Sequence, residues 1–389
     1  MLQEDDTITT NQHLISNILN NHFNQSANFD SQSTSDYNAI HSNYLINNSP
    51  NSFFLIDTSE EEVTSIVKSL KNSHSAGDDN ISNALLKNLI HTIIRPLTHI
   101  INLSLKMGEF PSQLKTSKII PLFKSGDKCL ASNYRPISLV SSLSKILEKV
   151  VHKQLTSFLD KSNLLSLSQY GFRNKSSTEL AILDICSHIS NNFESKLFTA
   201  GVFIDLSKAF DSLDHNILIQ KMNNYGIRGT PLKWFCSYLS DRYHYVQIEN
   251  KKSKVLKVVR GVPQGSILGP ILFNIYINDI CNCSSILKMV LFADDTTVLL
   301  SNSDANELAR LMTLELDKLY LWTKYNKLNI NFDKTCCILF GPKIRTNPIN
   351  IKIFFNNNLI KNVSSTKFLG IIITSNLSWL DHIFLSLKI

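Results

Sequence analysis

Apolar residues recur at helical spacing in several segments of the chain. The first follows Ser59-Glu60-Glu61-Glu62, a sequence typical of a capping box, and places Val63, Ile66, Val67 and Leu70 on one face. The same spacing predicts further helices over 81–105 (interrupted at Pro96), 139–159, 178–193 and 304–325. In 178–193 the predicted buried face consists of Ala181, Ile182, Ile185 and Ile189.

Shorter apolar or alternating runs predict strands between these helices. A buried strand is expected over 197–206, and a hairpin over 243–259, where Asn250-Lys251-Lys252 splits the alternation. A second hairpin is expected over 288–300, with Asp294-Asp295 at its turn. Further strands are expected at 118–123, 329–340, 351–355 and 368–373. The pattern indicates the α+β class, with a mainly antiparallel sheet covered by helices.

The first part of the chain differs in composition from the rest. Residues 1–58 are rich in Asn, Ser, Gln and His, and no Lys or Arg precedes Lys68, so we predict a polar, disordered leader. Of 389 residues, 39 are basic and 32 acidic, which gives a net charge of +7. That charge is −7 over residues 1–100 and +14 over the remainder. The positive charge of residues 101–389 suggests a polyanionic partner, although an excess of lysine often means only a solvated surface.

Composition excludes several classes of protein. No apolar stretch reaches the length of a membrane span, and the acidic N-terminus lacks the features of a signal peptide. The seven cysteines are scattered, and neither Cys281-x-Cys283 nor Cys336-Cys337 has the spacing of zinc ligands. We therefore expect reduced thiols in an intracellular protein of the cytoplasm or nucleus, neither secreted nor bound to a membrane.

Three carboxylates lie at the ends of apolar strands, where burial disfavours charge. Asp205 closes the predicted strand 197–206, and Asp294-Asp295 interrupts the second hairpin. Two hard divalent ions held there would keep the carboxylates charged and align a hydroxyl with a pyrophosphate leaving group. Adjacent strand residues point to opposite faces, so we expect Asp294 to be the direct ligand and Asp295 a weaker or structural one. The alternative is an Asp-Asp pair that merely makes a turn.

A glycine-rich segment precedes another apolar helix. Residues 261–270 lead into the helix predicted over 271–280 and have the sequence Gly-Val-Pro-Gln-Gly-Ser-Ile-Leu-Gly-Pro. Such a segment, which we call the Gly-rich loop, allows the backbone to approach a ligand and points helix N-terminal amides toward it. The alternative is an ordinary strand-to-helix turn.

Together these segments resemble a known family. In order and spacing, three segments resemble three successive palm motifs of reverse transcriptases of non-LTR (LINE-type, jockey-like) retrotransposons. They are Phe203-Ile204-Asp205-Leu206-Ser207-Lys208-Ala209-Phe210-Asp211, the Gly-rich loop and Phe292-Ala293-Asp294-Asp295. Further similar segments lie at 77–87, 120–127, 133–139, 168–173, 328–335 and 368–371. The resemblance covers roughly residues 60–380.

The resemblance implies a right-hand polymerase fold with fingers and an antiparallel palm sheet packed on helices. It implies an RNA-directed DNA polymerase that extends a primer 3′-hydroxyl with dNTPs on an RNA template. Asp205, Asp294 and Asp295 would hold two Mg²⁺ ions, which Mn²⁺ could replace, and Lys334 would donate a proton to pyrophosphate. The implied partners are an RNA template, a DNA primer and dNTPs.

Other residues would bind the substrate. By the same resemblance, Lys124 and Arg135 would clamp the triphosphate, although either could be a plain surface cation. Phe210 would lie under the deoxyribose and exclude a 2′-hydroxyl, with core packing as the alternative. Gln264 and Gly265 would shape the pocket for the nascent base pair.

The resemblance also divides the chain and leaves alternatives open. We expect a leader at 1–58, a helical extension at 59–114, a fingers-palm domain at 115–375 and the start of a truncated thumb at 376–389. We expect no endonuclease domain before this region and a thumb that is largely missing.

The main alternative is a truncated, non-catalytic remnant that at most binds nucleic acid. A group II intron maturase is disfavoured by the LINE-like wording of 205–211.

Overall fold

The computed structural model describes residues 1–4, 7–25, 44, 49–341 and 351–387. Its helices are α1 (Gln12–Gln25), α2 (Glu60–Ser69), α3 (Asn83–Met107), α4 (Ser142–Lys161), α5 (Thr178–Glu194), α6 (His215–Asn224), α7 (Gly229–Leu239), α8 (Gly269–Ile277), α9 (Ala305–Tyr325) and α10 (Leu380–Ser386). Short 3-10 helices lie at Ser112–Leu114, Ala131–Asn133 and Asn278–Cys283.

The strands are β1 (Leu2–Glu4), β2 (Thr7–Thr9), β3 (Thr116–Phe123), β4 (Tyr134–Leu139), β5 (Phe198–Ile204), β6 (Leu206–Ser207), β7 (Arg242–Ile248), β8 (Lys251–Lys252), β9 (Leu256–Val258), β10 (Lys288–Phe292), β11 (Asp295–Asn302), β12 (Asn329–Ile330), β13 (Cys336–Phe340), β14 (Phe354–Phe355), β15 (Asn358–Leu359), β16 (Lys361–Asn362), β17 (Ser365–Phe368) and β18 (Ile371–Thr374). The chain is a mixture of helix and sheet, as its pattern predicts.

The fold divides into two compact units. Unit 1 comprises Met1–Gln32, Asn47–Leu164 and Phe210–Tyr276, and unit 2 comprises Ser33–Ile46, Leu165–Ala209 and Ile277–Ile389. Each unit has a sheet of its own, and each is described separately below.

The sheet of unit 1 is built around β3 and β7. Its order is β4-β3-β7-β8, with β9 also pairing with β7. β3 and β4 form an antiparallel hairpin, whereas β3 and β7 run parallel. The predicted hairpin over 243–259 is confirmed, because β7 pairs antiparallel with both β8 and β9.

Helix α2 of unit 1 begins where its cap predicts. The Ser59 hydroxyl accepts a hydrogen bond from the Glu62 amide, which confirms the capping signal of α2. The predicted interruption at Pro96 is wrong, because α3 continues through it from Asn83 to Met107. Leu97, Ile101 and Leu105 remain buried after the proline. Burial of that face outweighs the roughly 3 kcal/mol that an interior proline costs a helix.

Part of the predicted leader is ordered. We expected no stable structure before residue 59, yet β1, β2 and α1 occupy residues 2–25. Leu2, Leu19 and Phe23 join a core cluster with Ile119 and Val246. Asn20 also donates to the Lys254 carbonyl at 2.7 Å. Contacts with residues far along the chain therefore order this helix, and local composition does not reveal them. The predicted disorder at 26–43 and 45–48 lies outside the described residues.

The sheet of unit 2 is nearly all antiparallel and has the order β10-β11-β5-β13-β16. Among the described strands of this sheet, β13 and β16 run parallel, and the other neighbouring strands are antiparallel. β5 is buried along its whole length, because α5 and neighbouring strands cover it. The predicted buried face of α5 is confirmed: Ala181, Ile182, Ile185 and Ile189 all belong to the main core cluster of this unit.

Candidate active site

A tight turn carries Asp294. Phe292 on β10 pairs with Asp295 on β11, so only Ala293 and Asp294 connect the two strands. The predicted hairpin is thus confirmed, with Asp294 in the turn and Asp295 as the first strand residue. Ala293 has a φ of +55°, a conformation that glycine usually supplies at this position of a hairpin turn. We call residues 292–295 the Asp294 turn.

Asp205 lies at the same end of the sheet as Asp295. β5 and β11 are antiparallel neighbours, and their last pair is Ile204 with Thr296. Asp205 follows Ile204, and Asp295 precedes Thr296, so the two aspartates occupy corresponding positions one step beyond that pair. Residues opposite each other on neighbouring strands have their Cβ atoms close together. Strand register therefore brings these two carboxylates together.

The neighbouring charges perturb Asp295. Burial of the carboxyl group, followed by the charges of Asp294 and then of Asp205, raises its pKa to about 6. The residue still has a solvent-exposed surface. A cation from solution would relieve this repulsion.

Lys334 lies beside Asp205. The Asn331 amide donates to the Asp205 carbonyl at 2.8 Å, and β12 pairs with β6 directly after Asp205. The Asp205 amide donates to the Thr335 hydroxyl at 3.4 Å. This backbone pairing carries the Lys334 Nζ to 3.7 Å from an Asp205 carboxylate oxygen. Both side chains are partly exposed, so the ion pair contributes little stability.

The donor set suits a hard divalent cation. Asp205, Asp294 and Asp295 offer only carboxylate oxygens, the ligands that Mg²⁺ favours. Within the described ranges, no three or more His, Cys, Asp or Glu side chains are already gathered like the ligands of a metal ion. The structure thus fixes the backbone positions of the three carboxylates without showing a formed metal site.

Unit 1 holds the other predicted site residues. Arg135 pairs with Leu122 in the β3–β4 hairpin, and the Lys124 amide donates to the Asn133 carbonyl at its end. Because side chains alternate along a strand, Lys124 and Leu122 share a face, and Arg135 lies on that same face. All three residues are exposed. The hairpin therefore presents two cations side by side to solvent.

The Gly-rich loop lies against β4. The Ser138 amide donates to the Gln264 carbonyl at 2.8 Å. Gly265 has a φ of +127°, and a Cβ there would lie 2.6 Å from the Ser138 carbonyl oxygen. Only glycine combines that conformation with that close approach. Strand β4 thus brings Arg135 and the loop residues Gln264 and Gly265 into one region of unit 1.

Phe210 and Asp211 connect to the same loop. The Val262 amide donates to the Phe210 carbonyl, and the Gln264 side-chain amide donates to both carboxylate oxygens of Asp211 at 2.8 Å. The half-buried ring of Phe210 stacks on Phe273 with 4.5 Å between centroids. Core packing thus holds Phe210.

The predicted site residues therefore form two sets. Unit 2 brings together Asp205, Asp294, Asp295 and Lys334, and unit 1 contains Lys124, Arg135, Phe210, Gln264 and Gly265. Within the part of the chain that the structure describes, no helix is long and apolar enough to cross a membrane. All seven cysteines are free thiols.

Sequence reasoning missed the residues that hold these segments in place. Glu148 is fully buried and accepts hydrogen bonds from the amides of Ile267 and Leu268. Two amides of the Gly-rich loop thus point at Glu148, whereas we expected amides that point at a ligand. The missed signal was an acidic residue among Ile146, Leu147 and Val150 on an otherwise apolar helix face.

Comparisons with known proteins identify a family that the chain matches. Residues 122–373 match the family model described as "Reverse transcriptase (RNA-dependent DNA polymerase)". The chain is 34% identical to the "Probable RNA-directed DNA polymerase from transposon BS" of Drosophila melanogaster, over 83% of this chain and 36% of that protein.

Two further relatives come from the same species. They are the "RNA-directed DNA polymerase from mobile element jockey" and the "Probable RNA-directed DNA polymerase from transposon X-element", both 27% identical over 83% of this chain and 36% of theirs. The chain thus spans about a third of the length of these curated relatives.

Proposed function

Because the chain belongs to the reverse transcriptase family, we propose that it is an RNA-directed DNA polymerase from a non-LTR retrotransposon. Its substrates would be a primer 3′-hydroxyl, dNTPs and an RNA template. One observation carries the proposal: by strand register Asp205 and Asp295 lie at corresponding positions beside the turn that holds Asp294, and burial together with the charges of Asp294 and Asp205 raises the pKa of Asp295.

Asp205, Asp294 and Asp295 would hold two Mg²⁺ ions, or Mn²⁺ in their place. When bound, the cations would increase the acidity of the primer hydroxyl and neutralise charge on the triphosphate and the departing pyrophosphate. Close carboxylates that repel one another fit this role, because a divalent ion offsets their charge. Asp294 in the turn is proposed as the direct ligand and Asp295 as the weaker one.

The remaining residues position the substrate. Lys124 and Arg135 would grip the triphosphate, for which the planar guanidinium of arginine offers paired hydrogen bonds. Gln264, fixed by Asp211, and Gly265 would shape the surface under the new base pair. Phe210, held by Phe273, would lie under the deoxyribose and exclude ribose. Lys334 would donate a proton to pyrophosphate.

This function assigns polymerase subdomains to the described elements. The β3–β4 hairpin, which carries Lys124 and Arg135, would belong to the fingers, and the five-stranded sheet of unit 2 would be the palm. Together the fingers and palm would extend from residue 115 to residue 375. The excess positive charge after residue 100 would attract a template-primer duplex, with an affinity that falls as salt rises.

Primer extension tests the proposal. The chain should incorporate dTTP on poly(rA)/oligo(dT) with Mg²⁺, and Asp294→Asn should lower the rate about 100-fold or more. Asp381→Asn removes the same charge from an exposed position in α10 and should leave the rate unchanged. If the unaltered chain incorporates no more dTTP than Asp294→Asn, it is a remnant that at most binds nucleic acid.

A further inference from the structure

Gln169 is a buried polar residue next to the Asp294 turn. Its side chain is 2% exposed, and its Oε1 accepts hydrogen bonds from two backbone amides. One donor is Gly171 at 2.7 Å, and the other is Ala293 at 3.0 Å. A single oxygen therefore connects the segment around Gln169 to the turn residue that has a positive φ.

The backbone around Gln169 is aligned with β10. The Leu291 amide donates to the Ser168 carbonyl, and the Tyr170 amide donates to the Leu291 carbonyl, both at 2.8 Å. Residues 168–170 thus extend the edge of the sheet as a short parallel bridge. This pairing brings the Gln169 side chain to the end of β10, where the Asp294 turn begins.

Gly171 brings the two segments into direct contact. A Cβ on Gly171 would lie 2.3 Å from the Ala293 nitrogen and 2.9 Å from the Phe292 carbonyl carbon. Any side chain at this position would displace either its own segment or the Asp294 turn. The contact leaves the Ala293 amide facing the Gln169 oxygen, with no space for water between them.

Gln169 stabilises the turn at a cost elsewhere. A non-glycine residue at positive φ is unfavourable, and a hydrogen bond to its amide offsets part of that cost. The Gln169 Nε2, however, is buried with no hydrogen-bond partner among the described residues. An unsatisfied buried donor is unfavourable, and methionine would fill the same space without one. A glutamine at this position is therefore better explained by the hydrogen bond that its oxygen accepts from the Ala293 amide than by core packing.

We propose that Gln169 is a positioning residue that fixes the Asp294 turn, so that Asp294 keeps its place relative to Asp205 and Asp295. This inference rests on the proposed polymerase function. Gln169 acts through the Ala293 amide and does not itself contact substrate. Because a displacement of about 1 Å at a reacting centre can slow a reaction by roughly 100-fold, loss of this hydrogen bond should be visible in the rate.

The first test compares Gln169→Met with Thr297→Val. Gln169→Met keeps the volume and removes the acceptor, and should lower kcat for dTTP incorporation roughly 10- to 100-fold while KM changes less than about threefold. Thr297 on β11 is also fully buried, and its hydroxyl has no partner among the described residues. Thr297→Val should therefore leave kcat unchanged. A wild-type kcat in Gln169→Met, or a change in KM alone, would overturn the proposal.

Hydrogen exchange gives a readout that does not depend on activity. Amide exchange in the peptide 289–297 should become faster in Gln169→Met, whereas peptides from α5 should keep their protection. Unchanged exchange in 289–297 would rule out a holding role. If Gln169→Met does not fold, Gln169→Asn retracts the oxygen by one methylene and should show the same two effects.

The two proposals fail in different ways. If the unaltered chain incorporates no more dTTP than Asp294→Asn, the polymerase function fails, and with it a catalytic role for Gln169. Hydrogen exchange then still decides whether Gln169 holds the turn. If the unaltered chain is active and Gln169→Met equals it in kcat, the polymerase function stands and the positioning role is wrong.

Discussion

The Gly-rich loop of unit 1 and the Asp294 turn of unit 2 use carboxylates in opposite ways. At the loop, Glu148 is fully buried, and its carboxylate accepts hydrogen bonds from the Ser144 hydroxyl and from two loop amides. At the turn, Asp295 keeps exposed surface, and burial of its carboxyl group together with the negative charges of Asp294 and Asp205 raises its pKa. The Glu148 carboxylate thus holds the loop backbone, whereas the Asp295 carboxylate lies close to other negative charges.

The difference shows how the two kinds of site are positioned. Of the three candidate aspartates, Asp205 and Asp295 lie at strand ends, so the sheet register sets their backbone positions without using their carboxylate oxygens. The Gly-rich loop lacks strand pairing along its length, and it depends on side chains such as Glu148 and Asp211. A buried, hydrogen-bonded carboxylate therefore indicates a structural role, and a repelled, accessible one indicates chemistry.

Removing the structural carboxylate should give the largest effect on stability. Glu148→Leu leaves two loop amides and the Ser144 hydroxyl without their acceptor and should lower the free energy of unfolding by at least about 3 kcal/mol. Glu148→Gln keeps one acceptor oxygen and should cost roughly half as much. Urea unfolding measures both. Equal, small losses in the two variants would show that the carboxylate does not hold the loop.

Removing a repelled carboxylate should have a smaller effect of opposite sign. The pKa of Asp295 is raised from 3.8 to about 6 in the folded chain, so the folded state binds this proton more tightly than the unfolded state. As pH rises, the resulting loss of stability begins near pH 3.8 and is complete above about pH 6. In metal-free buffer, Asp295→Asn should therefore stabilise the fold at about pH 7.5 and have little effect near about pH 4.

The gain should stay below about 1 kcal/mol, because the exposed side chain is screened by solvent. Thermal or urea unfolding at the two pH values measures it. Asp381→Asn, an equivalent change at an exposed site, is the control for removal of a negative charge alone. A stabilisation of Asp295→Asn that is equal at both pH values would contradict a repulsion among the three carboxylates.

Local pattern predicted much of the fold. The helical spacing of Ala181, Ile182, Ile185 and Ile189 identified the buried face of α5, because a helix repeats every 3.6 residues whatever lies against it. The cap at Ser59 was likewise visible, since capping depends on residues within one turn.

What the pattern missed depends on contacts that are distant in sequence. α1 is polar and asparagine-rich, and it is ordered by partners such as Lys254, more than 200 residues away. For the candidate site, the pattern of carboxylates at strand ends predicted Asp205 and the Asp294 turn as candidates. Gln169 and Glu148 could not be assigned, because the amides that they bind become neighbours only in the folded chain.

The central claim is that Asp205, Asp294 and Asp295 form one divalent-cation site, and localised cleavage tests it most directly. Fe²⁺ replaces Mg²⁺ at carboxylate sites and, with ascorbate and peroxide, cleaves backbone close to where it binds. We predict fragments that end near 205 and near 294, suppressed by excess Mg²⁺ and lost in Asp294→Asn. Cleavage at only one of the two positions, or the same fragments in Asp294→Asn, would contradict the claim.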